Sequence, residues 1–274
     1  MTDLVEIFVI MRHGDRADKA NESWSESESR PWDPPLSAAG WREASKQGSK
    51  IHTLLKGKPD IVFSSPYTRC LQTASAVIEA CNLSFKHLII DKGLSETYDY
   101  IHTVRAVASS DIMSGDKYKN MKAWFLSKRE KMSTNWAWLD SDWKLTQGMT
   151  QSERVNNFVY KNLKTPKAKQ FKLREQGQFP DFEMYANLGF NREGQVKRYA
   201  AAMERCRKVL KTSHKKPRKC VIVTHRAGVR SLYESMLNSS PEDIDTAGFF
   251  VVARQNKGKW TLLETHLARS STST

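Results

Sequence analysis

Short apolar runs alternate along this chain with stretches in which apolar residues recur at helical spacing. Residues 4–11, from Leu4 through Met11, are apolar except for Glu6 and predict a buried first strand. Residues 17–35 are rich in Ser, Glu, Asp, Trp and Pro without a period, which predicts a long loop. Ser37 has the character of an N-cap, and Trp41, Ala44, Gly48, Ile51 and Leu55 follow at helical spacing, predicting a helix over about 37–55. Gly57, Pro59 and Asp60 break the chain before the short apolar run Ile61-Val62-Phe63. Ser65 and Pro66 read as a cap and first turn, and Leu71, Ala74, Val77, Ile78 and Cys81 extend a helix over about 66–82. His87 to Ile90 predicts a third strand. The resulting order β, α, β, α, β favours an α/β fold with a mostly parallel central sheet covered by helices on both faces.

The rhythm then changes. Between about 97 and 192 no strand pattern stands out. Trp124 and Phe125, then Val155, Phe158, Val159 and Leu163, suggest separate amphipathic helices, and residues 164–182 are basic, aromatic and irregular. This region is expected to form a mainly helical cap, inserted in a single domain that spans residues 1–274. The earlier pattern returns with a helix over about 192–213, an apolar strand Cys220 to Thr224, and a helix over about 226–238. Two strands, Phe249 to Ala253 and Trp260 to Leu263, close the chain before a tail at about 270–274 that is expected to be disordered.

Charge narrows the partners. The formal net charge is +14, which favours phosphorylated molecules, nucleic acid or anionic membrane without choosing among them. No stretch approaches the roughly 20 apolar residues of a membrane span. Cys70, Cys81, Cys206 and Cys220 show neither paired metal spacing nor a disulfide framework, and read as buried thiols in a reducing compartment. A cytoplasmic setting, with a nuclear one as alternative, is the expectation, and oligomeric state is left open. The basic and aromatic stretch at 164–182 would suit nucleic acid but carries no recognisable binding motif.

Candidate chemistry gathers at strand ends, where open α/β sheets bind ligands. The first strand runs into Arg12-His13-Gly14-Asp15-Arg16, the second into Ser64-Ser65-Pro66-Tyr67-Thr68-Arg69, the third into Gly93-Leu94-Ser95-Glu96, and the late strand into Thr224-His225. Neighbouring guanidinium groups push a histidine toward its neutral, nucleophilic form and match phosphate in geometry. Cys220 and Arg226 have the spacing of a cysteine-dependent tyrosine phosphatase. Val221-Ile222-Val223 is β-branched and extended, however, so it does not curl into the amide cradle such an enzyme needs.

Taken together, these segments resemble the histidine phosphatase superfamily, the phosphoglycerate-mutase-like fold. The resemblance rests on Arg12-His13-Gly14, Asp33-Pro34-Pro35-Leu36-Ser37 with Gly40, Ser64-Ser65-Pro66 with Arg69-Cys70 and Gln72-Thr73-Ala74, Gly93-Leu94 with Glu96, and Thr224-His225. It implies a three-layer sandwich and a metal-independent phosphatase with no cofactor. His13 would carry a phosphohistidine, Arg12, Arg16, Arg69 and His225 would hold the phosphoryl oxygens, and Glu96 would be the proton donor, with Asp15, Asp18 and Asp99 as alternatives. A raised Glu96 pKa is expected when phosphate sits beside it. Arg226 and Arg230 would at most border the pocket. Mutases of the family usually carry a serine and an asparagine shortly after the Arg-His-Gly. Arg16 instead resembles the pattern of Sts-type phosphatases, which implies hydrolysis of a phosphoprotein (phosphotyrosine) or a small phosphoester. The alternative is a noncatalytic phosphate-binding or scaffold module. Trp24 and Trp32 are candidates for stacking on a leaving group, and the insertion is expected to cover the strand ends.

Overall fold

In the computed structural model, residues 4–19, 34–84, 87–96, 174–176, 192–211, 217–255 and 258–267 are described. The first apolar run forms β1 (Leu4–Arg12), and the helix capped by Ser37 forms α1 (Ala38–Leu54). There follow β2 (Ile61–Ser64), α2 (Thr68–Ala80), β3 (Leu88–Asp91) and β4 (Arg174–Gln176). The chain ends with α3 (Arg192–Leu210), β5 (Arg218–Thr224), α4 (Arg226–Leu237), β6 (Phe249–Gln255) and β7 (Thr261–His266). The strands make one seven-stranded sheet in the order β4-β3-β2-β5-β1-β6-β7. The pairings from β4 through β1 are parallel, and β6 pairs antiparallel with both β1 and β7.

Period-two alternation divides the strand side chains between two cores. Val9, Met11, Val62, Val221 and Val223 pack with Ile51, Leu71 and Val77 of α1 and α2 and with Leu55 at the end of α1. Phe8, Ile10, Phe63, Cys220 and Ile222 pack with Tyr199, Met203, Leu210, Val229 and Leu232 of α3 and α4. The fold is thus an α/β three-layer sandwich, mostly parallel as the pattern of crossovers predicts. Central strands buried on both faces explain why β1 and β5 read as continuous apolar runs rather than as alternating ones.

Two expectations need correction. The helix expected from residue 66 begins at Thr68, because Tyr67 is an extended N-cap that makes no side-chain capping bond. The Ser65 hydroxyl, read as a cap, is bonded to His225 and accepts from Tyr67 N–H ahead of the helix. The second correction is β4, a strand inside the segment that showed none. Its three residues, Arg-Glu-Gln, are polar, and β3 recruits them through parallel pairing and through Gln176 Nε2 donating to Asp91 Oδ2 at 2.9 Å. Such recruitment is tertiary and has no periodic signal. The rest of the proposed cap (97–173 and 177–191), Trp24, Trp32, Asp33, Asp99 and the tail lie outside the described residues.

The His13 turn is pressed onto the start of α1. Ser37 N–H donates to the Asp15 carbonyl and Ala17 N–H to the Pro35 carbonyl, both at 2.9 Å. Gln72 Oε1 accepts from Leu36 N–H at 2.6 Å, and Thr73 Oγ1 accepts from Gly14 N–H at 3.1 Å. The approach is so close that a Cβ on Gly40 would lie 2.2 Å from the Asp15 carbonyl oxygen, and one on Gly14 2.5 Å from the Gly40 oxygen. Both obstacles are backbone, so neither yields by a rotamer change. Gly40→Ala is therefore expected to lose roughly 2–3 kcal/mol of stability in urea denaturation, where a surface alanine substitution on α1 such as Ser45→Ala changes little.

Candidate active site

Register brings the motif residues together. Arg12 pairs with Thr224, and Ser64 pairs with Val223, on three adjacent strands. Just past these pairs, His13 N–H donates to the Thr224 carbonyl at 2.9 Å and Ser65 N–H to the Val223 carbonyl at 3.0 Å. The chain then turns away at each strand end, leaving His13, Ser65 and His225 side by side. The His13 and His225 rings meet edge to face, their centroids 5.4 Å apart.

His13 is nearly buried, and its Nδ1 lies 2.8 Å from the Gly14 carbonyl oxygen. A carbonyl only accepts, so Nδ1 carries the proton and Nε2 keeps the lone pair. Burial first, then the charges of Arg69 and Arg12, hold the His13 pKa well below 6.5, against the opposing Gly14 bond. His225 is held neutral in the same way, by burial and then by Arg69. The result is a pair of uncharged imidazoles against fixed positive charge.

Arg69 is fully buried in the first turn of α2, with its Cζ 4.5 Å from the centre of the Tyr67 ring and Nη2 3.3 Å from His225 Nδ1. Arg12 donates from Nη1 to the Ile244 carbonyl at 2.7 Å, while its buried Nε finds no hydrogen-bond partner among the described residues. That orphan donor suits an incoming anion. Arg16 turns its guanidinium onto Asp18, with Nε 2.8 Å from Oδ1. Its charge still acts on both Arg12 and His13. Arg226, at the start of α4, is half exposed and pairs with Asp243 at 2.8 Å.

Glu96 Oε2 lies 3.3 Å from His225 Nδ1. Because His225 is neutral, this contact is a close approach of carboxylate and ring rather than an ion pair. Of the alternatives to Glu96, Asp15 is taken up by Ser37 and Lys19, and Asp18 by Arg16. The loop that carries Glu96 is fixed by groups the sequence reading did not single out. Arg198 Nη1 donates to the Gly93 and Ser95 carbonyls at 2.7 and 2.8 Å, Tyr199 Oη donates to the Ser95 carbonyl at 2.9 Å, and Thr224 Oγ1 donates to the Leu94 carbonyl at 2.9 Å. Asp91 anchors the same loop by accepting from Gly93 N–H, and is itself held by Arg205. A signal for Arg198 did exist: it occupies the buried face of α3, beside Tyr199 and one turn before Ala202 and Met203, where an arginine is out of place without a partner.

The neutral histidines set a pH dependence. Unfolded, each titrates near 6.5; folded, each binds its proton only at a lower pH. Between those values the unfolded chain holds more protons, so the stability present above about pH 6.5 is lost as pH falls below it. The loss is up to about 1.4 kcal/mol per pH unit for each histidine. Urea denaturation at pH 7.5 and 5.5 is expected to give lower stability at 5.5, and His13→Asn is expected to reduce that difference, with His225 supplying the remainder.

Residues 8–110 match the model of the histidine phosphatase superfamily (branch 1). The matched segment carries Arg12, His13, Arg16, Arg69 and Glu96 and is similar to that superfamily; His225 lies beyond it. None of the curated proteins matches this chain in sequence. Among solved structures, ecdysone phosphate phosphatase from Bombix mori, in complex with tungstate, is 14% identical with a TM-score of 0.47, covering 98% of this chain and 96% of that one. A mycobacterial glucosyl-3-phosphoglycerate phosphatase is 15% identical with a TM-score of 0.48, covering 94% and 97%. A phosphoglycerate mutase from Bacillus anthracis is 16% identical with a TM-score of 0.46, covering 96% and 92%. Among the described residues no helix is long and apolar enough to cross a membrane.

Proposed function

We propose that the protein is a phosphatase that hydrolyses phosphomonoesters through a phosphohistidine on His13. The observation that carries this reading is the state of His13: neutral, with Nδ1 tied to Gly14 and Nε2 left basic, among Arg12, Arg69 and His225. The Nε2 lone pair attacks phosphorus as the bond to the ester oxygen breaks, and the Glu96 carboxyl proton passes to that oxygen. In the second half, the Glu96 carboxylate takes a proton from water, the resulting oxygen nucleophile attacks phosphorus, and the P–N electron pair returns to Nε2. Arg12, Arg69 and His225 stabilise the phosphoryl oxygens, and Arg16 joins them by exchanging Asp18 for phosphate. The arginines supply the positive charge, so no metal ion is needed in the scheme. Arg16 and the acidic residue before it favour hydrolysis over transfer and a resemblance to the Sts-type phosphatases, with a phosphotyrosine-bearing protein or a small phosphoester as substrate.

The test is turnover of p-nitrophenyl phosphate in the presence of a chelator across pH 5–8. Release of nitrophenol and phosphate at equal rates is expected. Binding of orthophosphate with no turnover of any phosphoester would instead favour a noncatalytic phosphate-binding module.

A further inference from the structure

His225 has a different neighbour on each ring nitrogen. Around Nδ1 are Arg69 Nη2 and Glu96 Oε2, each at 3.3 Å. Next to Nε2 are Ser65 Oγ at 2.8 Å and, more loosely, Cys70 Sγ at 3.5 Å. A neutral imidazole carries one proton, so the ring donates toward the phosphoryl site from Nδ1 only if Nε2 accepts.

The surroundings of Ser65 Oγ fix the direction of its bond. The backbone N–H of Tyr67 points at Oγ from 3.4 Å and can only donate. Oγ therefore accepts from Tyr67, and its single proton is left for His225 Nε2. The opposite assignment gives Oγ two donors and leaves its own proton without an acceptor among the described residues, in a fully buried position. The two neighbours of Nδ1 pull in opposite senses: the Arg69 guanidinium only donates and suits a bare Nδ1, whereas the Glu96 carboxylate only accepts and suits Nδ1–H, so the Ser65 end of the ring decides.

We propose that Ser65 is a positioning residue that sets the tautomer of His225, donating its hydroxyl proton to Nε2 so that Nδ1–H faces the phosphoryl group. The proposal rests on the phosphatase reading above. The order Ser65–His225–Glu96 is also that of a hydrolytic triad with serine as nucleophile. His13 is the better nucleophile, because its Nε2 is already deprotonated, whereas Ser65 would have to lose its proton during attack.

Ring 15N–1H correlation spectra of the free protein, with the His225 signals assigned by their loss in His225→Asn, distinguish the two tautomers. The expected result is Nδ1–H in the wild type and in Ser65→Thr, and an Nε2–H or mixed form in Ser65→Ala. In turnover, Ser65→Ala is expected to lower kcat/KM and to weaken inhibition by tungstate about 10–30-fold, with Ser65→Thr recovering most of both. An Nε2–H tautomer in the wild type overturns the proposal, and so does an unchanged tautomer in Ser65→Ala. A loss caused by Cys70→Ala and not by Ser65→Ala would move the role to the thiol. A phosphoryl or fluorophosphonate adduct on Ser65 would make it the nucleophile. The wild-type spectrum decides even if Ser65→Ala does not fold. It needs no substrate, so a wrong tautomer in an active phosphatase counts against Ser65 alone, while absence of turnover on every phosphoester counts against the phosphatase reading.

Discussion

Replacing His13 by alanine removes turnover of p-nitrophenyl phosphate, with an expected loss of roughly 10⁴-fold or more, since loss of a covalent nucleophile takes away the intermediate itself. The fold is expected to survive. His13 is held from its backbone, by its N–H on the Thr224 carbonyl and by its carbonyl on the Ala247 N–H, and alanine retains both bonds. Its ring contributes a buried group that the unfolded chain solvates better at low pH, so the variant should tolerate acid better than the wild type. Free imidazole added to His13→Ala is expected to restore part of the activity by occupying the vacated space and accepting phosphate from the substrate. A His13→Ala protein that keeps wild-type turnover would exclude the mechanism, whatever the fate of the other variants.

Glu96→Gln has the second-largest expected effect, and its size depends on the leaving group. Glutamine preserves the size of the side chain and a contact to His225, but it holds no proton to give and accepts none from water. kcat/KM reports only the steps up to phosphohistidine formation. For an alkyl phosphate, whose leaving oxygen must be protonated, it should fall about 10²–10³-fold. For an activated aryl phosphate, which departs as a stabilised phenolate, it should fall about tenfold or less. kcat should fall for both, because hydrolysis of the shared phosphoenzyme lacks its base, and a burst of nitrophenol should precede slow turnover. Equal losses in kcat/KM on the two substrates would show that Glu96 is not the acid, and would return attention to Asp15 and Asp18.

How much of this was legible before the structure depends on the range of the interaction. β1 and β5 were readable because both faces of each are buried, which writes a continuous apolar run into the sequence. Ser37 was readable as a cap because the bond to Gly40 N–H is local. His13 and His225 were readable because each directly follows its strand, whereas Arg69 and Glu96 lie five residues past β2 and β3 and were singled out by the family resemblance. β4 was not, since three polar residues become a strand only through β3 and Asp91. The partnership of Ser65 with His225 spans 160 positions, and that of Arg198 with the Glu96 loop just over 100, so no spacing rule connects them. Arg16 was legible as a charge near the site, but its engagement with Asp18, two residues on, is visible only in the structure.

The most direct test of the account is to trap the intermediate. Glu96→Gln, mixed with 32P-labelled aryl phosphate and quenched within the burst, is expected to hold close to one phosphoryl group per chain. The label should be stable in alkali and lost in acid, and it should map by peptide mass to His13. Phosphate on a serine or cysteine, or a burst with no protein-bound phosphate, would contradict the central claim that His13 attacks phosphorus.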